Sequence, residues 1–371
     1  MRKGTKKVLS SVMATGMLFT AMMSTTACDN RKELIVYNWG EYIAEDTIEK
    51  FEAAHPEYKV VYRTFETNET MYPNLSNGYD VIVPSEYMVS RLIKEERIQP
   101  VDWSKLPNAS KYMDPMFKTL KYAEDKELSD KVLDYGVPYM YCTVGLVYDA
   151  NKITIPEGTT EPKDIWAALW DANNNGKIGM YDSMRESIGT ALNYLGYSIN
   201  SMDEKELKEA MDLLIKQKAE VSPAYGVDNL KDKMASGELS ASIAWSGDHI
   251  VMLDRIEELG GNDNIDLKFV LPKGSNWSVD MMCVPVNCKN YDGAMAFIDF
   301  MYEPEIALQN CEYVGYSTPN TAAKDMLDPE VSGNIYYYPT ADVFATLEVY
   351  YTSEAVEEKY TEIWNTVKAS N

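Results

Sequence analysis

The stretch Leu34-Ile35-Val36-Tyr37-Asn38-Trp39-Gly40-Glu41-Tyr42 decides how this chain is read. Its apolar start predicts a first β-strand over 33–37. Two aromatic rings and a carboxylate follow, at Trp39, Glu41 and Tyr42, where that strand should end. In open α/β sheets, ligands bind outside the carboxyl ends of the strands. Aromatic faces beside a carboxylate suit an organic cation, through cation–π contact and charge-assisted hydrogen bonds. Plainer readings stand beside this one. Trp39 and Tyr42 could be ordinary core aromatics in a chain with 27 tyrosines. Glu41 could be a carboxylate favoured near a helix N-terminus.

Outward from this stretch, helical and strand periods alternate. Residues 43–54 read as a helix ended by His55-Pro56, and 58–65 as a strand. A helix over 68–77, a buried strand over 79–83 closed by Pro84, and a helix over 87–96 follow. Such β-α-β alternation predicts an α/β fold with a mostly parallel sheet and helices on both faces. Segment 107–131 reads as a polar surface excursion. A strand at 144–148 leaves this first unit. A second unit then carries strands at 177–181, 239–245 and 267–271. Its helices are expected from 165–169 and at 188–195, 205–217, 229–236 and 249–259. Segment 281–286 should cross back. Helices at 291–302 and 304–312 and a mainly helical tail over 341–369 complete the chain. Two α/β units joined by extended crossings predict a ligand cleft between lobes. Lobe 1 is expected over 28–147, with 281–317 returning to it. Lobe 2 is expected over 148–280, with 318–371 partly joining it.

The N-terminus reads as an export signal over 1–27. Arg2, Lys3, Lys6 and Lys7 precede an apolar stretch too short and too polar at its end to favour a membrane span. Thr25-Thr26-Ala27-Cys28 is similar to a lipoprotein cleavage box, so Cys28 is the expected lipidation site and membrane anchor. Loss of the four basic leader residues takes the formal charge from −23 to −27. A chain this acidic lacks the basic face that nucleic-acid binding by counterion release requires. Acidity attracts cations, but it also serves solubility.

Catalytic signals are sparse. There are two histidines, and no Ser/His/Asp set, Cys/His pair, zinc spacing or Gly-rich phosphate loop. Neither a cofactor nor a metal is expected. Asp182 and Glu186 could in principle act as paired carboxylates of a surface hydrolase. Cys142, Cys283, Cys288 and Cys311 match no metal framework, and small buried hydrophobes is their plainest reading. A Cys283–Cys288 pair stays open. Asp171-Ala172-Asn173-Asn174-Asn175-Gly176 matches the first positions of an EF-hand loop, with Asp182 in place of its terminal Glu. A turn before a strand is the competing reading.

Several further motifs occur in a fixed order. They are Glu66-Thr67-Asn68-Glu69-Thr70-Met71-Tyr72, Tyr79-Asp80-Val81-Ile82-Val83-Pro84-Ser85 and Tyr181-Asp182-Ser183-Met184-Arg185-Glu186. Ala244-Trp245-Ser246-Gly247-Asp248, Ser278-Val279-Asp280 and Gly315-Tyr316-Ser317-Thr318-Pro319-Asn320 follow. With 37–42, this set resembles the spermidine/putrescine-binding proteins of bacterial ABC importers. The resemblance implies a two-lobed periplasmic-binding-protein fold of type II that closes on its ligand like a hinge. It implies a monomer that captures a polyamine and passes it to a membrane permease. By that resemblance, Trp39, Glu41, Tyr42, Ser85 and Tyr87 line the cleft from lobe 1, and Asp182, Glu186 and Trp245 from lobe 2. Asp280 at the crossing pairs with an ammonium, and Tyr316 closes the site. Two positions depart from the family pattern. Ser183 stands where a second carboxylate is usual, and Ser278 where a tryptophan is usual. Asp182 or Asp248 is a candidate to compensate. A binding protein for an amino-alcohol or sugar, and a receptor or adhesin without transport, are the other readings carried forward.

Overall fold

The structure is a computed structural model that describes residues 30–370. The expected leader and Cys28 lie outside the described residues. Ten strands are present: β1 (Lys32–Trp39), β2 (Tyr58–Phe65), β3 (Val81–Ile82), β4 (Ile98–Gln99), β5 (Gly136–Asp149), β6 (Ile178–Tyr181), β7 (Ala224–Gly226), β8 (Ala241–Trp245), β9 (Leu267–Val270) and β10 (Trp277–Pro285). They follow the order β2-β1-β3-β10-β5-β8-β6-β7, with β4 on β10 and β9 on β5. β1 runs parallel to β2 and β3, and β6 parallel to β7 and β8. Between these trios, β10 is antiparallel to β3 and β5, and β5 is antiparallel to β8. Each α/β unit is therefore parallel as expected, and the seam is antiparallel because the chain crosses it once in each direction.

The crossing strands are longer than the sequence reading placed them. β5 begins at Gly136, eight residues before the expected 144. Its first half pairs with β10 and its second with β8 and β9. Gly136 and Pro138 read as breakers. At Gly136 an added Cβ would crowd Cys283 Sγ at 3.0 Å and Met281 Cβ at 3.1 Å. Pro138 is tolerated beside a bulge, where the register slips between Asp280 and Met281. β10 likewise begins at Trp277, not at 281.

Other departures have local causes. The expected helix over 43–54 starts at Thr47, because Asn310 Oδ1 accepts from Ala44 N (2.9 Å) and Thr47 Oγ1 (2.8 Å) and holds the preceding loop open. The expected helix over 68–77 splits into Asn68–Met71 and a tighter 3₁₀ turn, Tyr72–Asn77, that carries a proline near its start. Segment 107–131 is not a polar excursion. It carries the Pro107–Tyr112 helix and buries Ala109, Phe117 and Tyr122. Those apolar residues follow no single period, which hid their burial. The tail divides into Ala341–Phe344 and Glu354–Ala369, the latter capped by Ser353 Oγ accepting from Val356 N (3.3 Å).

In the EF-hand-like stretch, Asp171 Oδ1 accepts from Asn173 N (2.9 Å) and Asn173 Nδ2 (2.9 Å), and β6 begins at Ile178. Among the described residues no group of three His, Cys, Asp or Glu is placed to hold a metal, and no helix is long and apolar enough to cross a membrane. Cys142, Cys283, Cys288 and Cys311 are free thiols, so Cys283 and Cys288 do not pair. Cys288 Sγ turns to Asp80 (3.3 Å) instead.

Candidate functional site

Asp280 is the centre of the site. On β10, Trp277 is 3% exposed and Val279 is wholly buried, while Ser278 and Asp280 are half-buried on the opposite face. The bulge after Asp280 sets this carboxylate against the first α/β unit. Ser85 Oγ donates to its Oδ1 (2.7 Å) and Tyr42 OH to its Oδ2 (2.7 Å). Among the described residues no cation forms an ion pair with it. Burial raises its carboxyl to about 6, and the two hydroxyl donors oppose that rise.

The hydroxyls are themselves held. Glu41 adopts φ 49° at the tip of the turn after β1 and is exposed. This turns Tyr42 inward, where its backbone O accepts from Tyr139 OH (2.8 Å) and Asn38 Nδ2 (3.4 Å). The Tyr42 ring meets Tyr139 and Tyr316 edge-on, at 5.5 and 5.7 Å between centroids. Ser85 sits at the N-cap of the Glu86–Lys94 helix but makes no cap hydrogen bond; its hydroxyl serves Asp280. Asn68 Nδ2 donates to Ser85 Oγ (3.1 Å) and to Tyr87 OH (2.9 Å), and Tyr87 OH donates to Glu69 Oε1 (3.1 Å). Trp39 is half-buried, with its indole N–H on Val83 O (2.8 Å) and its ring 4.6 Å from Phe65.

The second unit brings its own groups to the ends of β6 and β8. Tyr181 OH donates to Asp248 Oδ2 (2.6 Å), and the Tyr181 and Trp245 rings lie 4.4 Å apart. Tyr316 OH donates to Asp248 Oδ1 (3.4 Å), and Lys231 Nζ lies 3.6 Å from the same oxygen. Asp248 is thus a neutralised group that positions Tyr181 and Tyr316. Gly247 allows the fit, since a Cβ there would stand 2.7 Å from Tyr316 Cδ2 and 2.8 Å from Gly315 O. Glu186 accepts from Ser183 Oγ. Burial raises its carboxyl, and the charge of Glu69 adds to the rise while Arg185 opposes it.

Cys142, on the crossing strand β5, shows how these groups converge. Its thiol is pushed well up, first by burial and then by the charges of Asp280, Asp248, Glu86 and Glu186 in that order. Four carboxylates from both units therefore act on one point of the seam.

The structure joins Tyr42, Ser85, Asp280 and Tyr316 directly, and sets Trp39, Tyr87, Glu186 and Trp245 at the strand ends around them. It does not join Asp182 or Glu41 to them. Asp182 is exposed and pairs with Lys368 Nζ (2.6 Å). Sequence reasoning missed Asn68, Tyr139, Tyr181 and Glu86. Asn68 and Tyr181 stood inside quoted motifs. Glu86 carried a weaker signal, an acidic residue directly after Ser85.

The sequence pattern of the bacterial extracellular solute-binding proteins matches residues 46–335. The spermidine/putrescine-binding periplasmic protein of Escherichia coli (strain K12) is 33% identical over 370 residues, covering 98% of this chain and 99% of that one. The crystal structure of the spermidine/putrescine ABC transporter substrate-binding protein PotD from Streptococcus pneumoniae, in complex with calcium and HEPES, superposes with a TM-score of 0.73 at 34% identity. It covers 91% of this chain and 98% of that one. The TpPotD lipoprotein of Treponema pallidum gives 0.70 at 25% identity, over 91% and 99%. With its two parallel units joined at an antiparallel seam, the chain belongs to the bacterial extracellular solute-binding proteins.

Proposed function

We propose that this protein binds a linear polyamine, putrescine or spermidine, outside the cytoplasm and delivers it to the permease of an ABC importer. One observation carries the reading. Asp280 is a largely desolvated carboxylate fixed by two hydroxyls and left without a protein cation among the described residues. A buried carboxylate costs folding free energy unless something compensates it. A ligand ammonium supplies that compensation. Trp39, Trp245, Tyr42 and Tyr316 provide aromatic walls for the methylenes between ammonium groups. Glu186 takes a second ammonium from the other unit, with Ser85 and Tyr87 beside the first. The relatives named as spermidine/putrescine-binding support this ligand class.

In this reading the lobes are 28–147 with 281–317, and 148–280 with part of 318–371. The protein is a binding component without catalytic turnover and works as a monomer. Cys28 carries the lipid that holds it to the outer face of the cell membrane, as the lipoprotein relative suggests. Asp182 and Glu41 contribute at the rim at most. A thermal-shift panel on the protein lacking residues 1–27 tests the ligand class. Putrescine or spermidine should raise Tm, while sugars, amino acids and amino-alcohols should not. No shift with any polyamine would refute the proposal.

A further inference from the structure

Glu86 is a second buried acid beside Asp280, to which the amine-binding reading above gives no role. It is wholly buried. Its Oε2 accepts from Ser278 Oγ (2.8 Å) and from Val279 N (3.0 Å). Its Oε1 has no hydrogen-bond partner. Ser278 and Asp280 share the half-buried face of β10, so the bond to Ser278 Oγ draws the Glu86 carboxyl toward the cleft side of that strand. The neighbouring Ser85 reaches Asp280 on the same edge. Glu86 thus meets β10 at Ser278, two positions from Asp280 on the same face. Among the described residues neither acid forms an ion pair.

A buried carboxylate with an unpartnered oxygen and no cation is a costly group for a folded protein to keep. It is inexpensive as a carboxylic acid, whose proton removes the charge. Resting on the amine-binding reading, we propose that Glu86 is a further charge-supplying residue of this site. It holds a proton while the cleft is empty and releases that proton to solvent when a ligand with two or more ammonium groups binds beside Asp280. The balance is simple. Glu86–COOH and the ammonium ligand give Glu86–COO⁻, the bound ammonium and one free H⁺; no bond to carbon changes. A dication brings one charge beyond the one Asp280 takes, which Glu86 and Glu186 share, whereas a monocation needs only Asp280. The pair therefore favours polycations over monoamines.

Burial raises the Glu86 carboxyl to about 8, with the charge of Asp280 adding to the rise and the bonds from Val279 N and Ser278 Oγ opposing it. The groups that feel Glu86 in return are Cys142 on β5, Tyr122 ahead of the Lys126–Tyr135 helix, and Tyr350 ahead of the Glu354–Ala369 helix. All three thiol or phenol groups are themselves pushed up by burial. They stay neutral in the range where Glu86 titrates.

The test is calorimetric titration of putrescine, spermidine and butylamine into the wild-type protein and Glu86→Gln. It is run in two buffers of different ionisation heat, from pH 7 to pH 8.5. Alkylammonium groups keep most of their charge over this range, as a lysine does. The wild type should release about one more proton per putrescine or spermidine at pH 7 than Glu86→Gln. Its Kd should tighten roughly eightfold more between pH 7 and 8.5, as expected for a carboxyl titrating near 8. Glutamine keeps the acceptor for Ser278 and Val279, and unchanged circular dichroism would confirm its fold. Equal proton release and equal pH profiles in the two proteins would overturn the inference while leaving amine binding intact. Absence of polyamine binding by the wild type would overturn both. A butylamine response as dependent on Glu86 as that of putrescine would also overturn it.

Discussion

Asp280 was legible before any coordinates, because a carboxylate inside the apolar run 279–286 has no structural reason to be there. Its environment was not legible, since its partners come from residues 42 and 85, far away in sequence. Replacing it by Asn keeps the shape and removes the charge. Polyamine affinity should fall by about 2–3 kcal/mol, or 30- to 150-fold, in a titration at pH 7. Its raised carboxyl also sets a pH dependence. The empty folded state holds a proton on Asp280 more firmly than the unfolded chain does, so this contribution to stability is present at low pH. It is lost as pH rises through about 6. Cation binding needs the ionised form and follows the opposite course. With Glu86→Gln removing the second titrating acid, affinity should therefore weaken about tenfold from pH 7 to pH 5 in a titration series. At Gly247 the constraint is steric. Gly247→Ala should push Tyr316 off its edge contact with Tyr42, an overpacking cost of about 1–3 kcal/mol. The expected result is a lower Tm together with weaker polyamine binding, and an unchanged Tm would count against the close fit.

Among the elements, those with clean periods were foreseen in place. β2 occupies the expected 58–65, and the helix expected over 205–217 forms but runs on to Val221. The crossing strands were only half seen. Gly136 and Pro138 suggest a break, yet tertiary pairing with β10 overrides them. β7 is three residues without an apolar run and left no signal. Side-chain caps are an instructive case. Ser85 and Ser183 look like N-caps and occupy N-cap positions, but neither caps; one serves Asp280 and the other Glu186. A cap-like serine at a strand end is therefore ambiguous in sequence, and the structure decides it. Asp80 shows the reverse case. It lies in the 79–85 motif yet is structural, accepting from Ile35 N (2.8 Å), Lys289 N (2.9 Å) and Asn290 N (2.9 Å) while 3% exposed. Asp80→Ala would strand three part-buried backbone donors. It should cost roughly 3 kcal/mol or more in urea unfolding and spare the ligand preference of whatever folds.

Among the described residues, one ion pair joins the two units apart from the crossing strands. Arg91 Nη1, on the Glu86–Lys94 helix, lies 2.8 and 3.0 Å from the carboxylate oxygens of Glu357 on the C-terminal helix. Thr352 Oγ1 donates to the same carboxylate (2.9 Å) and accepts from Arg185 Nη2 (3.3 Å), which places Glu186 one residue from the chain of contacts. Both members of the pair are about one-quarter exposed, so it is worth up to ~1 kcal/mol. Glu357→Gln should weaken polyamine binding up to about fivefold, mainly through faster release, as surface plasmon resonance would show. In the proposed binding mode the ligand joins the units more strongly, held by Tyr42, Ser85 and Asp280 from one unit and by Glu186 and Trp245 from the other. The most direct measurement is calorimetric titration of putrescine and spermidine at pH 7 into the wild-type protein and Asp280→Asn. Saturable one-to-one binding of at least one amine, weakened at least 30-fold by the substitution, is the predicted result. No binding of either amine, or equal affinity in the two proteins, would contradict the account.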